Sequence, residues 1–250
     1  PGYDAAVGFV ERTNNRRYNP VLQFSPRPRN SPLVRRFSFQ GNFDVMTDLQ
    51  NRLLTRELDF TLFEVNFQSG DNFQIHVVPT YERLEADFEI SSGVTLPNGA
   101  TYRFTRHSIF AGTANRRVVS VFTRYEGGTF YSGDRRDLSL NIGIRPRSGI
   151  LVNIENEWNR VALAEGRFST HVQRLNGNVQ FSPWISVANN LQYDSVSRVL
   201  GWQFRFRWIV RPGNDVYLVY SHNWLDDLTT GRRLTLNRTA ATKVTYTHRF

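Results

Sequence analysis

The chain has 250 residues, 14% of them aromatic, with one Met and no Cys. That aromatic content excludes a disordered chain, the missing Cys excludes a disulfide framework and any thiolate metal site, and no run approaches the ~18 apolar residues of a membrane helix. The net charge of +9 comes from 31 basic residues, all Arg except Lys243, scattered singly or in pairs such as Arg16-Arg17 and Arg135-Arg136. With no basic tail and no basic amphipathic helix, nucleic acid is not an expected partner.

In chain order the hydrophobic pattern alternates with period two throughout, and no window holds helical spacing for three turns. Strands are predicted near 4–11, 16–25, 33–47, 53–67, 72–84, 100–112, 116–131, 135–145, 149–161, 166–181, 184–193, 198–210, 215–223 and 240–250. Phe37, Phe39, Gly41, Phe43 and Val45 alternate with Ser38, Gln40, Asn42 and Asp44. The segment 53–67 is apolar on both faces, and 100–112 breaks phase around Arg106, as a bulge would make it. Leu138, Leu140, Ile142 and Ile144 alternate with Ser139, Asn141 and Gly143. The clearest case puts Leu200, Trp202, Phe204, Phe206 and Trp208 on one face and Gln203, Arg205 and Arg207 on the other. The last strand sets Val244, Tyr246, His248 and Phe250 against Lys243, Thr245, Thr247 and Arg249. About fourteen strands follow, forming one domain over 1–250.

The connections fall into two sets. Tight Pro- or Gly-containing turns at 25–28, 69–72, 145–149, 182–183 and 211–214 alternate with longer connections, of which 85–99 and 224–239 are the extremes. Short turns at one end and long loops at the other suit an antiparallel up-and-down transmembrane β-barrel, either closed by these strands or left incomplete as an open, curved sheet, with the short turns periplasmic. Aromatics recur at predicted strand ends (Trp184, Tyr193, Trp202, Trp208, Tyr217, Tyr220 and Trp224), as at a membrane interface where a ring stays apolar and its polar atom stays wet. Outer-membrane lipid is then the expected surrounding of Trp202, Phe204, Phe206, Trp208, Tyr246 and Phe250. Arg205, Arg207, Arg174, Glu155, Glu157, Lys243 and Arg249 are the expected lumen residues, with Asn176, Asn178 and Gln180 beside Arg174. Such a wall filled by paired internal charges is one expectation; a basic pore or docking surface for anionic or sugar-like solutes is the other. The ending in Phe250 resembles the C-terminal strand signature read by the barrel-assembly machinery of bacterial outer membranes.

Five stretches carry a family resemblance: GFVERTNNRRY at 8–18, SPLVRRFSFQGNFD at 31–44, RLLTRELDF at 52–60, FEISSGVTLPNGATYRF at 88–104 and YDSVSRVLGWQFRFRWIVRPGNDVYLVYSHNW at 193–224. They resemble the Gram-negative outer-membrane proteins that join an N-terminal carbohydrate-binding, family-9-like module to a C-terminal barrel of unknown function. The resemblance implies a C-terminal barrel section of a longer protein, in keeping with the start at Pro1 without an initiator Met or signal peptide. It carries over no catalytic residue.

The five His residues form no zincin pattern, and neither a nucleophile elbow nor a phosphate-cradling Gly-rich loop occurs. Ser221-His222-Asn223-Trp224-Leu225-Asp226-Asp227 is the one cluster with hydrolytic residue types, at the outer end of a strand. Glu85, Asp87 and Glu89 lack the EF-hand spacing for Ca²⁺, and their loop is expected to fold over the pore. No catalytic residue, metal or cofactor is therefore expected. Transport or surface binding is the leading functional expectation. An outer-membrane hydrolase acting at its loops or on a missing module, and a soluble carbohydrate-binding β-sandwich, are the alternatives.

Overall fold

The computed structural model describes residues 14–228 and 231–247. The predicted strand 4–11, and the roles expected of Arg249 and Phe250, lie outside the described residues. Those residues are all-β and contain no helix. The strands begin with β1 (Asn15–Tyr18), β2 (Val21–Phe24), β3 (Val34–Asp48), β4 (Leu53–Phe67) and β5 (Asn72–Arg83). There follow β6 (Phe88–Ser91), β7 (Val94–Leu96), β8 (Thr101–Gly112), β9 (Val119–Phe130), β10 (Gly133–Ile144) and β11 (Ile150–Ala162). The chain continues with β12 (Arg167–Ser182), β13 (Ile185–Asp194), β14 (Val199–Arg211), β15 (Asn214–Asp227) and β16 (Arg232–Thr245).

Fourteen strands make one meandering sheet, from β1 through β3, β4, β5 and β8 and then in sequence to β16. β1 and β2 both pair with β3, opposite Val45–Asp48 and Phe39–Asn42 respectively, so they share one position. The predicted single strand 16–25 is broken there by Asn19-Pro20, because Pro has no N–H to give the ladder. The sheet thus has thirteen positions, matching one to one the thirteen strands predicted from residue 16 onward. It ends at β16, and among the described residues no pairing closes it into a barrel.

Further expectations are corrected. The 224–239 connection is strand instead of loop: β15 runs to Asp227 and β16 starts at Arg232, joined across 228–231. Its acidic and basic pairs lie opposite one another, Asp226 against Arg233 and Asp227 against Arg232, so cross-strand charge pairing extends the hairpin. The 85–99 connection folds into the β6–β7 hairpin, a separate two-stranded sheet. With 224–239 gone, the other connections of that set (49–52, 131–132, 163–166 and 195–198) are as short as the supposed periplasmic turns, and the predicted asymmetry of loop length fails. Burial alternates across Arg106 in β8, so the out-of-pattern charge faces inward, and next to it the Thr105 amide donates to the Thr129 hydroxyl at 2.8 Å. In β4 a bulge does occur, between Thr61 and Phe63, and it shifts the phase of a strand that had read as apolar on both faces.

Backbone contacts group the chain into two compact units, each taking one end of β8 to β12. The first comprises residues 14–111, 124–137 and 160–168. It holds the buried apolar cluster, Leu84, Val94, Leu96, Val161 and Leu163, with Tyr102, Phe130, Tyr131 and Phe168 around it. Leu96 is fully buried. The β6–β7 hairpin is thus seated by side chains that come from four separate stretches of sequence. The second unit comprises 112–123, 138–159, 169–228 and 231–247. All its strands belong to one sheet, so no second sheet of this unit lies over β12–β16, and most of their side chains are partly exposed.

Candidate functional site

The antiparallel register sorts the side chains of β12–β16 onto two faces. Trp202 lies opposite Leu191 and His222, Phe204 opposite Asn189 and Tyr220, Phe206 opposite Val187 and Leu218, and Trp208 opposite Ile185 and Val216. All four ring-bearing residues predicted to face lipid in β14 therefore share one mainly apolar face. Trp208 and Trp184 are about half exposed near one end of it, and Tyr246 is exposed beyond the end of β16. Near the other end Trp158 stacks on His171 at 5.0 Å and Trp224 on His222 at 3.8 Å. From the Leu200–Trp224 row to the Trp208–Val216 row is eight residues, roughly 26 Å along a strand at ~3.3 Å per residue. Tilted by about 40°, that length covers ~20 Å, close to the ~25 Å apolar band of an outer-membrane barrel. Two aromatics expected at strand ends lie elsewhere, because β15 is longer than its apolar run: Tyr220 is mid-strand and Tyr217 is on the opposite, polar face.

That polar face carries the predicted lumen residues. Arg174 donates to Glu157 at 3.1 Å and to Gln192 at 3.0 Å, and Glu155 lies 3.6 Å from it. Arg207 donates to Asp215 at 3.1 Å and lies over the Tyr217 ring at 5.2 Å. Arg205 differs: it donates to the Oε1 of Gln203 at 3.3 Å, with no carboxylate partner among the described residues. Lys243 stands opposite Tyr217 and is exposed. Partly exposed ion pairs of this kind are worth on the order of 1 kcal/mol or less; their consequence is that Arg174 and Arg207 are already neutralised.

Between the ion pairs runs a ladder of amides and hydroxyls. Asn190 donates to Asn176 at 2.6 Å, Gln203 to Ser221 at 3.4 Å and Asn223 to Asn237 at 2.8 Å. Here a basin of about 450 Å³ opens, bordered by Asn190, Gln192, Gln203, Ser221 and Asn223. Gly201 lies beneath it; a Cβ there would come within 2.8 Å of the Asn223 side-chain oxygen. Each amide offers both donors and an acceptor, so the surface matches ligands that carry both kinds of group, as hydroxyls do.

Sequence reasoning missed a second charged region, in the first unit. Arg106 is buried and paired with Glu126 and Asp137, while Arg124 pairs with Glu126 and Arg135 with Asp137 at 2.9 Å. In the same unit a cavity of about 800 Å³ lies between β3–β5 and the β6–β7 hairpin, lined by Arg17, Asp44, Glu57, Glu82, Glu85 and Asp87 with Phe88 and Tyr131. The signal was present in charges two residues apart on one strand face: Glu57 and Asp59, Arg124 and Glu126, Arg135 and Asp137. Glu89 and Asp87 act as turn acceptors, for the amides of Gly93 at 3.1 Å and Asn98 at 2.8 Å. Among the described residues no group of three or more acidic or His side chains could hold a metal ion.

The candidate hydrolytic cluster is taken apart by the strand. Ser221 and Asn223 face the polar side, while His222 faces the other and bonds Thr235 at 3.1 Å. Asp226 is held by Arg233 at 3.0 Å, four residues from His222. At ~3.3 Å per residue they stand roughly 13 Å apart, too far for a base and its orienting carboxylate. No protein-family model, no curated protein and no solved structure matches the chain.

Proposed function

We propose that this chain forms part of the wall of an outer-membrane β-barrel, and that its polar face passes or holds uncharged, hydroxyl-bearing solutes. The observation that carries the reading is the two-faced single layer of β12–β16. One face is apolar, with Leu175, Trp208 and Leu218 exposed, Trp202, Phe204 and Phe206 half-buried, and indole rings toward both ends; the other is a hydrogen-bonded ladder of Asn, Gln, Ser and paired charges. A soluble sandwich needs a second layer over the apolar face, and lipid is what takes that place here. The free edge of β16 must then be paired, because hydrocarbon cannot satisfy backbone N–H and C=O groups. On this reading the chain is a barrel section of the kind the family resemblance implies.

Neutral solutes are favoured over anions because Arg174 and Arg207 already hold carboxylates, which leaves Arg205 and Lys243 as the cations of that face free of carboxylates. The test is liposome swelling with purified protein. A neutral disaccharide is expected to enter faster than a dicarboxylate of similar size, and Gly201→Gln, which fills the basin, to slow its entry. Absence of swelling in either solute contradicts the passage role.

A further inference from the structure

The apolar face of the second unit is not uniformly flat. A groove of about 660 Å³ is sunk into it, and its lining is mostly apolar. Gly177 forms the floor: it pairs with Asn189, and a Cβ added to it would meet nothing within 4 Å. Leu175, Leu191 and Leu200 line its length, and Trp202 and Trp224 stand as walls. A straight hydrocarbon chain fits these surfaces, and a volume of this size lies in the range of small-molecule sites.

One end of the groove is polar and cationic. Arg233 and Thr235 border it, and Thr235 is bonded to His222. Of the β16 cations only Arg233 lines the groove; Arg232 and Arg238 each stand three residues along the strand from Thr235. Two of them are opposite carboxylates in β15, Arg233 against Asp226 and Arg232 against Asp227. Arg238 is opposite His222 instead, on the groove's own face, and no ion-pair distance links it to a carboxylate among the described residues. The apolar trough thus ends at one paired cation, Arg233, and Arg238, the cation without a carboxylate among the described residues, stands three residues beyond Thr235 on the same face.

We propose that the groove is a binding site for an anionic lipid, its acyl chain along Leu175, Leu191 and Leu200 and its negatively charged headgroup at Arg238 and Thr235. The proposal rests on the membrane reading above, which supplies lipid as the occupant, and goes beyond it by specifying one chain position and one headgroup charge. A neutral lipid would fill the trough and leave the cation unmatched.

The test uses quenching of the tryptophans by brominated acyl chains in vesicles of unbrominated phosphatidylcholine. Dibrominated phosphatidylglycerol is compared with dibrominated phosphatidylcholine. Trp202 and Trp224 border the groove, so bound lipid quenches them first. The anionic probe is expected to reach half-maximal quenching at about fivefold lower mole fraction, the effect of one cation on an anionic headgroup at a membrane surface. Arg238→Gln should make the two probes equal, and Gly177→Leu should abolish the preference by filling the floor. Equal curves for the unaltered protein, or a preference that survives both substitutions, overturn this inference and leave the membrane reading standing. If neither probe quenches at all, the membrane reading falls as well.

Discussion

At the scale of single residues, the turns are held by side chains whose role no periodicity reveals. Asp48 closes the β3–β4 turn: its carboxylate accepts from the amides of Gln50 at 3.0 Å and Arg52 at 2.8 Å, and from the Arg52 side chain at 2.8 Å. Asn51 sits beside it with φ of 63°, a left-handed conformation that Asn tolerates better than most residues. Asp48→Ala leaves two turn amides without their acceptor and should cost about 1–2 kcal/mol, measurable as a lower midpoint in urea with an unchanged slope. The exposed Arg52 side chain adds little, so Arg52→Ala should cost distinctly less. The sequence shows Asp48 as an ordinary strand-end acid; the bonds that make it matter depend on how the next four residues turn.

Elements were legible where their signal is local and hidden where it is not. Each strand from β3 to β14 in the main sheet was found within about three residues, because alternation of faces is written into neighbouring positions. The β6–β7 hairpin escaped because its stability comes from contacts distant in sequence: Leu96 and Val94 pack with Leu84, Val161 and Leu163. The outer ends of β15 and β16 escaped because Asp226-Asp227 and Arg232-Arg233 read as loop until paired across the strands. Removing the centre of the hairpin's seat tests this account. Leu96→Ala should cost about 2–5 kcal/mol of local seating. Amide exchange should then speed up over 88–96 and stay unchanged in β12–β16. Uniform loss of protection across all strands would show that the hairpin is instead part of one cooperative core.

For the whole molecule, one fact dominates: the second unit has two chemically opposite faces, and large apolar side chains such as Leu175, Trp208 and Leu218 stay exposed on one of them. The candidate site followed from the sequence as far as face assignment goes, since Arg205 and Arg207 alternate with Trp202, Phe204, Phe206 and Trp208 within a single strand. What the sequence left open was pairing. Whether Arg174 and Arg207 were free for a solute depended on Glu155, Glu157 and Asp215, and Asp215 was not among the residues the pattern singled out. The amide ladder around the basin likewise exists only because five strands bring Asn176, Asn190, Gln203, Ser221, Asn223 and Asn237 into register.

The chain contains no Cys, so single cysteines can be placed at will and read without background. Spin labels at each position from 202 to 208, with the protein reconstituted in bilayers, report oxygen dissolved in acyl chains and a water-soluble nickel chelate separately. Positions 202, 204, 206 and 208 should be oxygen-accessible and 203, 205 and 207 chelate-accessible, with a clean period of two. Equal accessibility at both sets, or the opposite phase, would contradict the orientation on which the proposed function stands.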